Sequence, residues 1–343
     1  MNRNGSAEEQ EAIASKTIDL LALRFEPLSE RPSKVSLAHL GRPGCGAAWF
    51  AEWLDTLPKV LGADALLRLR DALVGATIAK RPVVAAVGGH VIKTGCGRYL
   101  VDWIERGILS GLALNGSAAI HDLELAIAGK TSEDVGTRLL AGTFGFARET
   151  SELFVAACNR AASRDAGLGA ALGDLIDEHG GPGLDSSVLV AARRAHIPVT
   201  VHVAIGTDIV HMTPALDGAA MGKAAMEDFR LLCAVVSRMA HGVWLNIGSA
   251  VVMPEVFLKA VSIARNLGHS LDGLTTANLD FDQKYRGMLN VLERPGAQGI
   301  ALTGHHEILI PLLHAAVLSQ LDATQRESTC DRQSAVVENG RFG

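Results

Sequence analysis

The clearest indication of the fold is the sequence RPVVAAVGGHVIKTG at residues 81–95. Residues 83–87 are a short continuous run of Val and Ala, which is typical of a strand buried on both faces of a parallel sheet. Gly88 and Gly89 end the run, and the next residues have the apolar spacing of a helix. The stretch therefore predicts one strand, turn and helix unit of an α/β protein.

Similar units occur along most of the chain. Further short apolar runs lie at residues 112–114, 198–203, 243–247, 273–277 and 299–302. Apolar residues with helical spacing lie at residues 97–106, 120–128, 186–195, 223–240, 254–266 and 307–321. Strands that alternate with helices predict a doubly wound, mostly parallel, Rossmann-like sheet with helices on both faces.

One α/β domain is expected over residues 33–321. Within it, residues 131–181 show helical spacing without a strand, so a helical insertion is predicted there. Residues 1–32 are predicted to be an N-terminal arm, and residues 322–343, which lack apolar periodicity, a flexible C-terminal tail.

Composition excludes several classes of protein. The 343 residues are 48% hydrophobic and 20% charged, which is typical of a globular protein, and 32 basic against 37 acidic residues give a net charge of −5. This balance, with only 4% aromatic residues, argues against a nucleic-acid partner. No apolar run approaches the roughly 20 residues of a membrane span. Five scattered cysteines without a C-x-x-C pair and a polar N-terminus indicate a cytoplasmic protein.

The turns that follow the strands carry the candidate functional residues, because ligands of open parallel sheets bind outside the carboxyl ends of the strands. In the first turn, paired glycines allow a ligand to approach the backbone, and His90 and Lys93 follow them. The predicted cofactor-binding residues are Gly88, Gly89, Asn115, Gly116, Ser117, Asp208, Gly248, Ser249 and His305. The predicted catalytic residues are His90, Lys93, His121 and His211.

The common dinucleotide fingerprint G-x-G-x-x-G is absent, because Gly95 and Gly97 are followed by Leu100 at the third glycine position. No H-E-x-x-H or Cys/His framework occurs either, so no metal is predicted as the first choice. A metal-dependent hydrolase or lyase that uses the group His202, Asp208 and His211 is left open as an alternative.

The order of the turns resembles that of the deoxyhypusine synthase family over about residues 81–321. The similar segments are AHIPV (195–199) followed by Thr207 and Asp208, GSAVV (248–252) and GHHEILIPLL (304–313). The resemblance implies NAD as the cofactor, Asp208 as a cofactor contact and a homotetramer with sites between subunits. Members of the family transfer an aminobutyl group from spermidine to a lysine.

Two departures argue against that reaction. The segment that resembles the family's imine-forming lysine region, residues 288–293, contains no lysine, and Lys284 lies several residues earlier. Pro254 and Glu255 replace two family histidines. We therefore expect a NAD-binding enzyme that acts on a small molecule, more anionic or polyhydroxylated than a polyamine, by oxidation–reduction with proton transfer by a histidine. A catalytically inactive nucleotide- or metabolite-binding protein is the second hypothesis.

Overall fold

A computed structural model describes residues 20–44 and 46–339, with side chains described up to residue 324. Residues 1–19 of the predicted arm, residues 340–343 of the predicted tail and Cys45 lie outside the described residues. Cys96, Cys158 and Cys233 are free thiols.

The secondary structure alternates as the sequence predicts. The strands are β1 (Val35–Ser36), β2 (Val83–Val87), β3 (Gly111–Asn115), β4 (Lys130–Thr131), β5 (Val199–His202), β6 (Val243–Ile247), β7 (Thr275–Asp280) and β8 (Gln298–Thr303). The helices are α1 (Ala48–Asp55), α2 (Leu61–Ile78), α3 (Gly89–Lys93), α4 (Gly97–Glu105), α5 (Gly116–Ala128), α6 (Val135–Leu140), α7 (Arg148–Ser163), α8 (Leu168–His179), α9 (Val188–Arg194), α10 (Gly218–Val236), α11 (Val252–Asn266) and α12 (His306–Asn339). A π-helical segment spans Gly287–Glu293.

Six strands form one parallel sheet in the order β5-β3-β2-β6-β7-β8. Val87 at the end of β2 pairs with Leu114 of β3 on one side and with Ile247 of β6 on the other. The chain first adds strands outward from β2 in one direction and then, from β6, in the other. The predicted doubly wound α/β fold is confirmed, and its order reverses between β2 and β6.

Both faces of the sheet are covered, which explains the continuous apolar strands. Val83, Ala85 and Val87 face one hydrophobic cluster, whereas Val84 and Ala86 face another. In the second cluster the Trp244 ring stacks on Phe257 with centroids 4.2 Å apart. Alternate residues of one strand thus enter opposite cores, and neither face is left polar.

Residues 131–181 contain α6, α7 and α8 and no strand beyond the start of that range. One buried carboxyl group, that of Asp228, connects α8 of this region to β5, and a second, that of Asp122, connects α5 to the start of α9. Asp122 accepts hydrogen bonds from Ser187 Oγ (2.6 Å) and Val188 N (2.9 Å), and Asp228 accepts from Gly169 N and Val201 N, each at 2.8 Å. Burial raises the pKa of Asp122 to about 6 and that of Asp228 to about 7. Both carboxyls hold helices in place.

The remaining strands, β1 and β4, form a separate antiparallel pair, with Val35 opposite Thr131. This pair fixes the segment before α1 beside the end of α5. Across the described ranges 20–44 and 46–339, no helix has the length and apolar character needed to cross a membrane.

Candidate active site at the carboxyl end of the sheet

The turns after β2 and β6 touch at the point where the strand order reverses. The Gly88 N–H donates to the Ile247 carbonyl at 2.9 Å. A Cβ atom added to Gly88 would lie only 2.0 Å from the Gly248 carbonyl oxygen, and Gly248 itself has a φ of +64°. Both positions therefore require glycine. We call the region above this contact, at the carboxyl end of the sheet between its two halves, the crevice.

The next turns continue this row. A Cβ atom on Gly89 would lie 2.2 Å from Ser117 Oγ, and one on Gly116 would lie 2.2 Å from Asp208 Oδ2. Asn115 Oδ1 accepts the Ala118 N–H at 2.9 Å and caps α5. The structure thus brings seven of the predicted cofactor-binding residues side by side: Gly88, Gly89, Asn115, Gly116, Ser117, Asp208 and Gly248.

The two adjacent histidines at the start of α12 have different surroundings. His306 is 1% exposed, its Nε2 lies 3.2 Å from the Leu279 carbonyl, and its Nδ1 is buried without a hydrogen-bond partner among the described residues. A Cβ atom on Gly248 would lie 3.0 Å from its ring, and the His90 ring lies 5.5 Å away between centroids. The His305 side chain is 71% exposed. The crevice is therefore bordered by His306, which the sequence did not predict as a site residue. The predicted cofactor-binding residue Ser249 accepts the Met253 N–H through its Oγ at 3.2 Å.

A cavity of about 230 Å³ opens beside the crevice, above β3 and β5. Its lining includes Lys93, Ser117 and His121 from the sheet side and Asp208 from the turn after β5. Arg31, Ser132, Val135 and Phe144 also belong to the lining. At about 30 Å³ per water molecule, the volume corresponds to roughly eight waters, which suits a small metabolite and not a whole dinucleotide.

A buried cluster of charges forms one wall of the cavity. Arg31 donates two hydrogen bonds to Glu124, at 2.8 Å to Oε1 and 2.7 Å to Oε2, and lies 3.5 Å from Glu133. These three side chains are between 1% and 5% exposed. Burial raises the pKa of Glu133, while the Arg31 charge opposes that rise. Sequence reasoning missed all three residues, because Arg31 and Glu124 are 93 residues apart and form no local motif.

His121 is tied to this cluster through a threonine. The Thr131 hydroxyl donates to Glu124 Oε2 at 2.5 Å and lies 2.8 Å from His121 Nδ1. A hydroxyl has one proton, and Glu124, paired with Arg31, is an acceptor, so Thr131 must accept its second hydrogen bond from the histidine. The network therefore assigns the proton of His121 to Nδ1 and leaves Nε2 as an acceptor.

The charge state of His121 is also set by its surroundings. Burial lowers its pKa to about 4; the neighbouring Glu124 carboxylate opposes the shift, and the positive charge of Lys93 adds to it. The ring is consequently neutral near pH 7. Burial and the charge of Lys93 also lower the pKa of His90. Lys93 is half-buried, and no hydrogen bond or ion pair joins its ammonium to another described residue.

The group His202, Asp208 and His211 does not assemble as a metal site. His202 is buried, bonds Thr200 Oγ1 at 3.0 Å and lines a different cavity. His211 Nδ1 accepts the Gly206 N–H at 3.3 Å. In the described part of the chain, no three His, Cys, Asp or Glu side chains are grouped as metal ligands. The metal-dependent alternative was wrong on this point, because His202 lines a different cavity from Asp208. The predicted catalytic residue His211 does not line the cavity of His121 and Lys93 either.

No protein-family model and no curated protein matches the chain. Among solved structures, a LOR/SDH-assigned protein from Methanococcus maripaludis S2 is 14% identical, with coverage of 80% of this chain and 73% of that protein and a TM-score of 0.48. AgrE, solved with ornithine and NAD⁺, is 14% identical, with coverage of 80% and 34% and a TM-score of 0.46. A protein from Entamoeba histolytica assigned as a deoxyhypusine synthase is 9% identical, with coverage of 75% and 88% and a TM-score of 0.45.

These likenesses concern the fold alone. The predicted doubly wound α/β fold is confirmed by the order of the parallel sheet itself, and the resemblance to the deoxyhypusine synthase family stays a prediction from the sequence. The chain spans about a third of the length of AgrE and of the arginine dihydrolase ArgZ, whose coverage is 33%.

Proposed function

We propose that the chain is an enzyme that binds NAD or a related nicotinamide dinucleotide in the crevice between β2 and β6 and acts on a small molecule in the adjoining cavity. The observation that carries the proposal is the sheet order, which reverses between β2 and β6 where Gly88 meets Gly248. In open parallel sheets this point is where nucleotides and other ligands bind.

The residues around the crevice fit such a group. Gly88, Gly89 and Gly116 are buried against the neighbouring turns, whereas Gly248 and Ser117 are half-buried. His306 Nδ1 is a buried polar atom without a partner in the described residues. Asp208 offers carboxylate oxygens that can accept hydrogen bonds from ribose hydroxyls. Residues 88–89, 115–117 and 248–249, together with Asp208, are the proposed contacts. A nicotinamide dinucleotide supplies hydride transfer when bound.

The chain's own groups provide proton handling and substrate binding. His121 is neutral, and its Nε2 is the acceptor, so it can take a proton from a substrate hydroxyl or amine. Lys93 lines the same cavity and can bind an anionic group of the substrate. Arg31, Glu124 and Thr131 hold the His121 ring in one orientation.

Deoxyhypusine formation is not part of the proposal. Residues 288–293, where the resemblance would place an imine-forming lysine, lie in the π-helical segment and contain none. Lys284 forms an ion pair with Asp282 and is not among the cavity residues. A covalent imine needs a lysine within bonding reach of the substrate. A homotetramer and a cytoplasmic location stay predictions from the resemblance and the composition.

The test is a fluorescence titration of the purified chain with NADH. Asp208→Asn keeps an acceptor for the Ala204 N–H but loses charge, so we expect about tenfold weaker binding, as for a hydrogen bond to a charged group. The control is His241→Gln, which lies in a cavity with Arg68 and Gly242 at the amino ends of the strands. Absence of NADH binding, or binding that is sensitive only to the His241 change, contradicts the proposal. Binding without turnover of any small acid, alcohol or amine favours the inactive-protein hypothesis.

A further inference from the structure

We infer that the cavity recognises a small carboxylic acid that carries a hydroxyl or amino group close to its carboxylate, with the carboxylate toward Lys93 and the O–H or N–H toward His121 Nε2. The inference rests on the proposed function only in treating this cavity as the substrate site. The shared chemistry of a hydroxy acid and an amino acid is one anionic group beside one hydrogen-bond donor.

The donor requirement follows from the tautomer of His121. Its Nδ1–H is used by Thr131, and Thr131 passes its own proton to Glu124. A ring in this state presents a lone pair at Nε2, and it stays neutral because burial holds its pKa near 4. A ligand that lacks a donor would leave this half-buried acceptor unpaired, whereas a hydroxyl or amino group satisfies it.

The anionic requirement follows from the pairing of the charges in the wall. The Arg31 guanidinium is paired with the carboxylates of Glu124 and Glu133, and the Arg138 guanidinium also donates to Glu133 at 3.3 Å. Lys93 is the cavity-lining cation without such a partner among the described residues. An ammonium group in a partly enclosed site is stabilised by a carboxylate from the ligand.

Asp208, the remaining carboxylate of the lining, does not serve as that partner. It lies over the Gly116 backbone at the first turn of α5 and accepts the Ala204 N–H at 3.3 Å. The helix N-terminus favours a negative charge at this position. The cavity lining therefore carries a positive charge at Lys93 and a separate negative charge at Asp208. A ligand with one anionic group and one hydrogen-bond donor matches this lining better than a polyamine does.

Calorimetric titration with lactate, alanine, propionate, lactamide and spermidine tests the inference. Propionate lacks the donor of lactate, and lactamide lacks its charge. We expect lactate or alanine to bind roughly tenfold more tightly than propionate and lactamide, since each of these loses one cavity contact. The lactate and alanine arms distinguish a hydroxy acid from an amino acid. Equal binding of propionate or lactamide, or tighter binding of spermidine, overturns the inference.

Two variants assign the contacts. Lys93→Met should abolish the preference for lactate over lactamide, while Lys59→Met, at an exposed lysine outside the cavity lining, should retain it. Thr131→Val should abolish the preference for lactate over propionate, because the His121 ring loses the acceptor that fixes its tautomer. Thr131→Ser keeps the hydroxyl and should restore the preference for lactate over propionate. A purely structural role for Thr131 would not predict that this ligand preference follows the hydroxyl. An unchanged ligand preference in both Lys93→Met and Thr131→Val overturns the inference.

An NADH titration of the same samples separates this inference from the proposed function. Selective binding of lactate or alanine by a protein that binds no NADH would support the acid site and contradict the dinucleotide site. NADH binding by a protein that does not discriminate among the acids would leave the dinucleotide site standing and overturn the acid site.

Discussion

The two halves of the sheet bury polar groups at their carboxyl ends in different ways. In the half formed by β5, β3 and β2, the polar groups are charged: Arg31, Glu124 and Glu133 surround a cavity and connect to His121. In the half formed by β6, β7 and β8, a chain of neutral amides is buried beside one carboxylate, that of Asp280, which accepts the Phe281 N–H at 2.8 Å. Asn246 Nδ2 donates to Asn278 Oδ1 at 2.6 Å, and Asn278 Nδ2 donates to Gln283 Oε1 at 2.7 Å.

The difference indicates that the first half can change the charge of neighbouring groups, whereas the amides of the second half hold the structure in place. Buried charges are costly unless they are paired, and their field changes the pKa of neighbouring groups. Neutral amides hold a turn in place without altering the charge of a neighbour. We therefore place the chemistry in the first half and assign the amide chain to the support of the crevice.

The largest expected effect is the loss of stability on breaking the buried ion pair. Arg31→Met leaves the Glu124 carboxylate uncompensated at 2% exposure, so we expect a loss of about 3–5 kcal/mol in the free energy of unfolding. Urea denaturation measures it. Adding Glu124→Leu to Arg31→Met should recover part of the loss, because no unpaired charge remains. A loss below about 1 kcal/mol in the single variant would show that the pair is hydrated and not buried.

A smaller effect is expected in the amide half. Asn278→Ala removes the acceptor of Asn246 and the donor to Gln283 at a buried position, so a loss of about 1–3 kcal/mol is expected. NMR titration of the same variant should give an unchanged His121 pKa, since no charge is removed. A shifted His121 pKa in Asn278→Ala would mean that the two halves are coupled and would remove the distinction drawn between them.

The pH dependence of stability sharpens the role of His121. Its pKa falls from 6.5 in the unfolded chain to about 4 in the folded protein. Between these values the unfolded state binds more protons, so the contribution of His121 to stability is complete above pH 6.5 and is lost as the pH falls toward 4. His121→Gln should remove this contribution, so its thermal midpoint should fall less than that of the wild type as the pH falls from 6.5 to 4. His202, whose pKa burial also lowers to about 4, adds to the decline in both proteins, whereas Asp122 and Asp228, whose pKa values burial raises to about 6 and about 7, oppose it in both. An unchanged slope would place the His121 ring in water.

The smallest expected effect is electrostatic. Lys93 lowers the pKa of both His90 and His121, so Lys93→Met should raise both values, whereas Lys93→Arg should leave them close to those of the wild type. Proton NMR titration of the two rings checks the direction. A rise at His90 alone would indicate that Lys93 points away from the cavity.

Much of the fold could be predicted from the sequence, because buried parallel strands are continuous apolar runs. Each of the six predicted runs overlaps a strand of the sheet, and the small residues of the turns lie at its carboxyl end. The helices α1 and α2 were not predicted; both precede the first strand of the parallel sheet and so belong to no strand, turn and helix unit. The π-helical segment Gly287–Glu293 was not predicted either, because it extends no local pattern.

The site was predictable only where its residues follow strands. Lys93, Ser117, His121 and Asp208 line the cavity as members of predicted turns. The charged wall depends on tertiary pairing of Arg31 with a helix 93 residues later, which no spacing rule reveals. Likewise, adjacent His305 and His306 are equivalent in sequence, and only the start of α12 decides which ring is buried.

Long-range ¹⁵N NMR of the His121 ring tests the central claim most directly. We predict the Nδ1–H tautomer, neutral at pH 6, with the chemical shift of an unprotonated Nε2 that moves toward the protonated form only near pH 4. A ring that carries its proton on Nε2, or that is charged at pH 6, would contradict the account of the cavity as a site that accepts a proton from its ligand.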